Sequence, residues 1–227
     1  MTRPIDRLPT PSAVLFDLDG TLVDTVTRRI DAWERTFTEV GLPIGRDRLS
    51  SLIGLDGRRL AREGAALHGR QIDDDRAEQI DHRSGEIYED LNVAPRSLPG
   101  VTRVVDAIER RGIRWAIATS SGAAQVTSSV AALGLGREPM IVDASHVEHA
   151  KPEPDLLLYA ARQLGVEPAT CWYVGDSTWD MVSAVAAGML AIGVTAGSAV
   201  DVAALAGAGA AAVVRTLDEV ADAVDGS

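Results

Sequence analysis

Cysteine is almost absent: Cys171 is the only one in 227 residues. A lone thiol makes no intrachain disulfide, which excludes a disulfide-stapled scaffold. Its neighbours Trp172 and Val174 mark it as a buried strand residue, and a reducing cytoplasm is the expected compartment. Positive charge is also scarce. The net charge of -11 argues against a nucleic-acid or anionic-membrane surface. Pro4, Pro9 and Pro11 break the N-terminal segment, which lacks the apolar stretch of a signal peptide. Val182 to Val200 carries no charge, but Gly188, Gly193, Thr195 and Gly197 interrupt it, so helix, turn and buried strand explain it better than a membrane span. Hydrophobic residues at 46% and charged residues at 24% suit a soluble globular chain, expected as a monomer or homodimer.

After Ser97 one rhythm repeats: an amphipathic helical stretch, then a short apolar run. Val101 to Arg111 leads to Ile113 to Ala118, Ala123 to Leu133 to Met140 to Val142, Pro154 to Leu164 to Cys171 to Val174, and Val182 to Ala187 to Ala191 to Val194. This alternation predicts an α/β fold with a parallel sheet covered by helices on both faces. Between Asp24 and Arg96 the rhythm stops. Trp33, Phe37 and Val40, then Leu49, Leu52 and Ile53, then Leu60 and Leu67 repeat at helical spacing. A helical insertion over 24–96 is expected, returning through a linker marked by Pro95 and Pro99 to a core of 1–23 and 97–227.

Chemistry gathers beyond the carboxyl ends of strands in such sheets. Asp17 and Asp19 follow the apolar run Val14 to Phe16. Residues two apart on a strand share a face, so both carboxylates point together. Like charges that close resist joint ionisation unless a cation or proton intervenes, and such a pair can divide between nucleophile and proton carrier. Asp176 and Asp180 open a later helix on one face. Four carboxylates at one sheet edge call for a hard divalent cation with oxygen ligands, and Mg2+ suits a site that keeps water and binds phosphate. Thr119, Ser120 and Ser121 supply hydroxyls and amides ahead of a helix, a setting that favours phosphate.

Lysine is as rare as cysteine. Lys151 is the only one, against 21 arginines. A compact ammonium enters a small site where a guanidinium fork does not fit. His146 and His149 lack the Cys or His partners of a zinc set and read as solvated loop residues.

Four segments, FDLDGT at 16–21, ATSS at 118–121, AKPEPD at 150–155 and GDSTWD at 175–180, resemble the ordered motifs of haloacid dehalogenase-like hydrolases. The resemblance spans nearly the whole chain and implies a Rossmann-like core with an inserted α-helical cap. It assigns Asp17 as nucleophile toward phosphorus and Asp19 as acid and then base. Thr119 and Lys151 complete the catalytic set, and Gly20, Ser120 and Ser121 lie at the substrate. Metal is assigned to Asp17, to Asp19 through its backbone carbonyl, and to Asp176, with Asp180 orienting water or Lys151.

Members that cleave carbon–halogen bonds lack the second carboxylate of the first motif, so Asp19 implies phosphoryl transfer. The alternative is a β-phosphoglucomutase-like phosphomutase. Those enzymes resemble one another in a Glu-Asp fourth motif and a Gly-x-x-Arg cap loop. Here Gly175-Asp176 replaces the first, and Gly57 stands where that Arg belongs. A phosphatase for a small phosphorylated metabolite is therefore expected over a mutase or an inactive binding module. Arg58, Arg59 and Arg62 of the cap are expected to contact substrate.

Overall fold

The computed structural model describes residues 2–226. Six strands form one sheet: β1 (Ala13–Phe16), β2 (Arg114–Ala118), β3 (Ile141–Val142), β4 (Cys171–Gly175), β5 (Leu190–Val194) and β6 (Ala212–Val214). Their spatial order is β3-β2-β1-β4-β5-β6, and every pairing is parallel. The order reverses at β1, which pairs with β2 on one side and β4 on the other. That is the position where a doubly wound sheet opens a crevice.

Helices cover both faces, as continuous apolar strands require. Alternate residues of β1 enter different cores. Val14 and Phe16 pack with Trp172, Val174 and the apolar sides of α5 (Val101–Arg110) and α10 (Leu217–Asp225). Ala13 and Leu15 pack with Cys171, Tyr173, α7 (Asp155–Leu164) and α8 (Thr178–Ala186). Burying a side chain such as Phe16 contributes roughly 2–3 kcal/mol. Cys171 is a free, buried thiol that burial pushes above its usual pKa.

Between β1 and α5 lie α1 (Val26–Glu39), α2 (Arg46–Ser50), α3 (Gly57–Ala66) and α4 (Asp74–Leu91), with a core of their own around Trp33, Phe37, Leu49, Leu60 and Ile80. Trp179 and Ala199 pack against that core from the sheet side, and Trp179 Nε1 donates to the Ser51 carbonyl at 2.9 Å.

Several sequence expectations shift at their ends. The second strand starts at Arg114, the third at Ile141, and α6 (Ala123–Ala131) stops short of Leu133. The Ala-rich tract Ala203 to Ala212 hides α9 (Val202–Gly207) and β6, because small residues give weak periodicity. Val182 to Val200 divides among α8, a turn and β5, and among the described residues no helix is long and apolar enough to cross a membrane. His146 and His149 are exposed, and His146 Nδ1 also lies 3.0 Å from Asp143 Oδ1 with its ring against Tyr159.

Candidate active site

Register decides which side chains meet. Phe16 pairs with Ile117 and with Val174, so Asp17, Thr119 and Asp176 leave the sheet at the same edge. Gly20 makes this possible in a second way. Its φ of +83° is left-handed, and a Cβ there would collide with Asp176 Oδ2. Gly20 thus lets the backbone pass Asp176, and it is not among the cavity-lining residues.

Lys151 lies at the centre with 1% exposure. Its Nζ donates to Asp17 Oδ1 at 2.6 Å and to Asp180 Oδ1 at 2.8 Å. Removing an ammonium from water costs several kcal/mol, which two carboxylates at this range offset. Burial alone lowers the Lys151 pKa, but Asp17 and Asp180 outweigh it and hold the group above the ordinary lysine range.

Asp180 has no oxygen to spare. Its Oδ1 also accepts from Tyr173 Oη at 3.0 Å, and Oδ2 accepts the Ser177 amide at 2.9 Å and hydroxyl at 2.6 Å. Ser177 and Asp180 form the reciprocal cap of α8, which fixes the carboxylate. Asp180 thus holds Lys151, the orienting role expected of it, while its carboxylate also stands with Asp17 and Asp176 in an acidic group that could hold a metal ion.

Asp17, Asp176 and Asp180 bring carboxylate oxygens within 4.8 Å of one another. Against these three negative charges stands one ammonium, leaving the cluster short of positive charge. Burial first, then the neighbouring carboxylates, raise Asp17 to about 7 despite Lys151, and lift Asp176 well above its usual value. Hard oxygen donors with a charge deficit suit a divalent cation. Thr21 Oγ1 donates to Asp176 Oδ1 at 3.1 Å, while Asp17 Oδ2 accepts nothing among the described residues.

Asp19 does not bring its carboxylate to this cluster. Oδ2 accepts from Arg29 Nη2 at 2.9 Å and Ser121 Oγ at 2.6 Å, and Oδ1 from Thr25 Oγ1 at 2.7 Å and Tyr88 Oη at 3.3 Å. Burial would raise this carboxyl, yet Arg29 and the hydroxyls hold it below the usual range. Arg29 also donates to Gln125 Oε1 at 2.6 Å and stacks 3.7 Å from the Tyr88 ring centroid.

A cavity of about 300 Å³ opens over this edge, lined below by Asp17, Asp19, Thr119, Ser120, Ser121, Lys151 and Asp176. Among the described residues the Ser120 hydroxyl is buried without a partner, and the Thr119 hydroxyl only accepts, from the Ser121 amide at 3.2 Å. From above come Arg29, Trp33, Asp81 and Ser84. Arg58, Arg59 and Arg62 do not line it. Arg58 is exposed and Arg59 and Arg62 half-buried, and they pair with Asp56, Glu153 and Asp74 respectively. Sequence reading had no signal to prefer Arg29 over other arginines, since its partner Asp19 meets it only through the fold.

Residues 14–194 match the family described as haloacid dehalogenase-like hydrolase. The chain is 33% identical to "Probable phosphatase IndB" of Dickeya dadantii, with 81% of each chain aligned. It is 30% identical to "Beta-phosphoglucomutase" of Bacillus subtilis over 82% of this chain and 84% of that one. The crystal structure of a hydrolase from Pseudomonas syringae superposes with a TM-score of 0.88 at 30% identity, over 94% of this chain and 97% of the other.

Proposed function

The chain belongs to the haloacid dehalogenase-like hydrolase family, and from that premise we propose that it is a magnesium-dependent phosphatase that cleaves a small phosphomonoester through an aspartyl-phosphate on Asp17. One observation carries this reading. Asp17 has one oxygen fixed by Lys151 at 2.6 Å and the other unengaged among the described residues, in a cavity that Thr119 and Ser120 also line.

In the first half-reaction the free oxygen of Asp17 attacks phosphorus, and Asp19 delivers a proton to the departing alcohol oxygen. In the second, the base form of Asp19 takes a proton from water, which attacks phosphorus, releases phosphate and restores Asp17. Arg29 stabilises that base form. Lys151 balances the charge on Asp17 and the phosphoryl oxygens, and Thr119 and Ser120 donate to those oxygens. Asp17 and Asp176, with the Asp19 backbone carbonyl, would hold Mg2+, which when bound supplies charge neutralisation at the phosphoryl group. Residues 24–96 act as the cap that excludes bulk water above the core.

A phosphomutase must also hold a second phosphate. Among the described residues lining the cavity, both Lys151 and Arg29 are already committed to carboxylates, which favours the hydrolase. The test is phosphate release from p-nitrophenyl phosphate with and without Mg2+. Magnesium-dependent release that falls at least about a thousandfold in Asp17→Asn supports the reading. Full activity in Asp17→Asn, or interconversion of β-glucose 1-phosphate and 6-phosphate without net release, would refute it.

A further inference from the structure

The cap side of the cavity is acidic and unsatisfied. Asp81, on α4, lines it half-buried and accepts no hydrogen bond from any described residue. One turn along the same face, Ser84 also lines the cavity. It is 4% exposed, and its hydroxyl finds no partner among the described residues. Serines inside helices commonly donate to the carbonyl four residues back, as Thr36 does to Ala32 at 2.8 Å. Ser84 does not.

The carboxylate is given room by the backbone. A Cβ at Gly57 would collide with Asp81 Oδ1, so the start of α3 admits Asp81 only because residue 57 has no side chain. Burial, then Asp56, pushes the Asp81 carboxyl up to about 6, with Glu78 adding to the push and Arg29 and Arg58 opposing it. Buried polar groups are ordinarily satisfied, and a carboxylate beside a hydroxyl, both open to one cavity, lacks a hydrogen-bond donor. No arginine or lysine among the described residues fills that need, and His82, which also lines the cavity, faces Glu86 Oε1 at 3.5 Å. Arg29 is committed to Asp19, Arg58 lies nearer Asp56, and Glu86 takes Arg83 at 2.8 Å.

We propose that Asp81 and Ser84 read the leaving group, and that the substrate is a phosphomonoester whose alcohol portion carries hydrogen-bond donors, hydroxyls or an ammonium, and no carboxylate. This rests on the phosphatase reading above and adds the substrate class to it. Hydroxyls donate to Asp81 and exchange bonds with Ser84, whereas an ammonium pairs with Asp81 directly. A carboxylate on the same carbons meets like charge in a confined space of about 300 Å³, with no free arginine or lysine among the described lining residues to receive it.

Glycerol 3-phosphate, O-phosphoethanolamine and 2-phosphoglycolate separate these cases, with p-nitrophenyl phosphate as an ester that carries none of the three groups. For the wild type in Mg2+, kcat/KM is expected to be at least about tenfold higher for the hydroxyl or ammonium ester than for phosphoglycolate, the scale of one hydrogen bond to a charged group. In Asp81→Ala that ratio falls by about 10- to 100-fold. Asp81→Asn keeps shape without charge, so it abolishes a preference for ammonium and retains part of one for hydroxyl. The proposal is overturned if phosphoglycolate equals or exceeds the other two esters, if both variants keep the wild-type ratio, or if the aryl ester alone is cleaved. Absence of release from all four esters overturns the phosphatase reading, and this inference with it.

Discussion

Arg29 reaches from α1 to place Nη2 2.9 Å from Asp19 Oδ2, so the loop that follows β1 and the helix after it are joined by an ion pair. With Ser121 and Thr25 also donating to that carboxylate, the base form of Asp19 is favoured, and its position depends on groups of the helical insertion. The Arg29 guanidinium has the largest effect among the groups that lower the pKa of this proposed acid–base residue.

Removing that guanidinium in Arg29→Gln lets the Asp19 pKa return toward the ordinary range. The base form needed for the second half-reaction then titrates higher, so the acid limb of the rate profile moves to higher pH and kcat falls by about 10- to 100-fold. Profiles of kcat against pH for both proteins check this. Superimposable acid limbs would show that Arg29 does not set the charge of Asp19.

Lys151→Arg keeps the charge and changes the shape. At 1% exposure between Asp17 and Asp180 there is no room for a planar fork, so one or both short contacts break. Turnover of an aryl phosphate should fall by at least about a hundredfold. Wild-type turnover in the variant would remove the special role of the lone lysine.

Asp81→Asn should stabilise the protein at neutral pH. A carboxyl raised to about 6 in the folded state binds its proton more tightly there than in the unfolded chain. Stability is therefore highest below the unfolded pKa near 4 and declines as pH rises through about 6. Relief of this penalty is worth about 2 kcal/mol at pH 7 and vanishes near pH 4. Thermal melts at the two pH values measure it, and an equal effect at both would refute the titration of Asp81 as its cause.

Gly54 adopts a φ of +98°, and a Cβ there would collide with Ser177 Oγ, the group that caps α8 and holds Asp180. Gly69 has a φ of +67° with nothing within 4 Å of such a Cβ. Both alanine variants pay about 1 kcal/mol of backbone strain, lowering Tm by roughly 2–4 °C. Gly54→Ala alone should also lose kcat/KM, by about tenfold, as the cap loop is forced off Ser177. Equal kinetics in the two variants would show that this contact does not matter to the site.

The sheet was legible because its strands are continuous apolar runs ending in reactive residues, as Val14 to Asp17 and Cys171 to Asp176 illustrate. Periodicity needs only local sequence. Strand β6 was not legible, because alanines on either side erase the contrast between faces. Arg58, Arg59 and Arg62 were expected to contact substrate because their segment was expected to close over the site, yet each is drawn to a nearby carboxylate instead.

The sequence by itself determined which chemistry is available: carboxylates at two strand ends, hydroxyls at a third, and a single lysine whose rarity marks it out. Only the tertiary structure decided how these groups are paired. It assigned Lys151 to Asp17 and Asp180, turned Asp19 toward Arg29, and brought Asp81 and Ser84 of the cap over the same cavity. The physical reason is geometric. Strand ends are aligned by a backbone register that local patterning reveals, whereas successive helix residues point about 100° apart, so which cap side chain faces the site depends on how the helices pack.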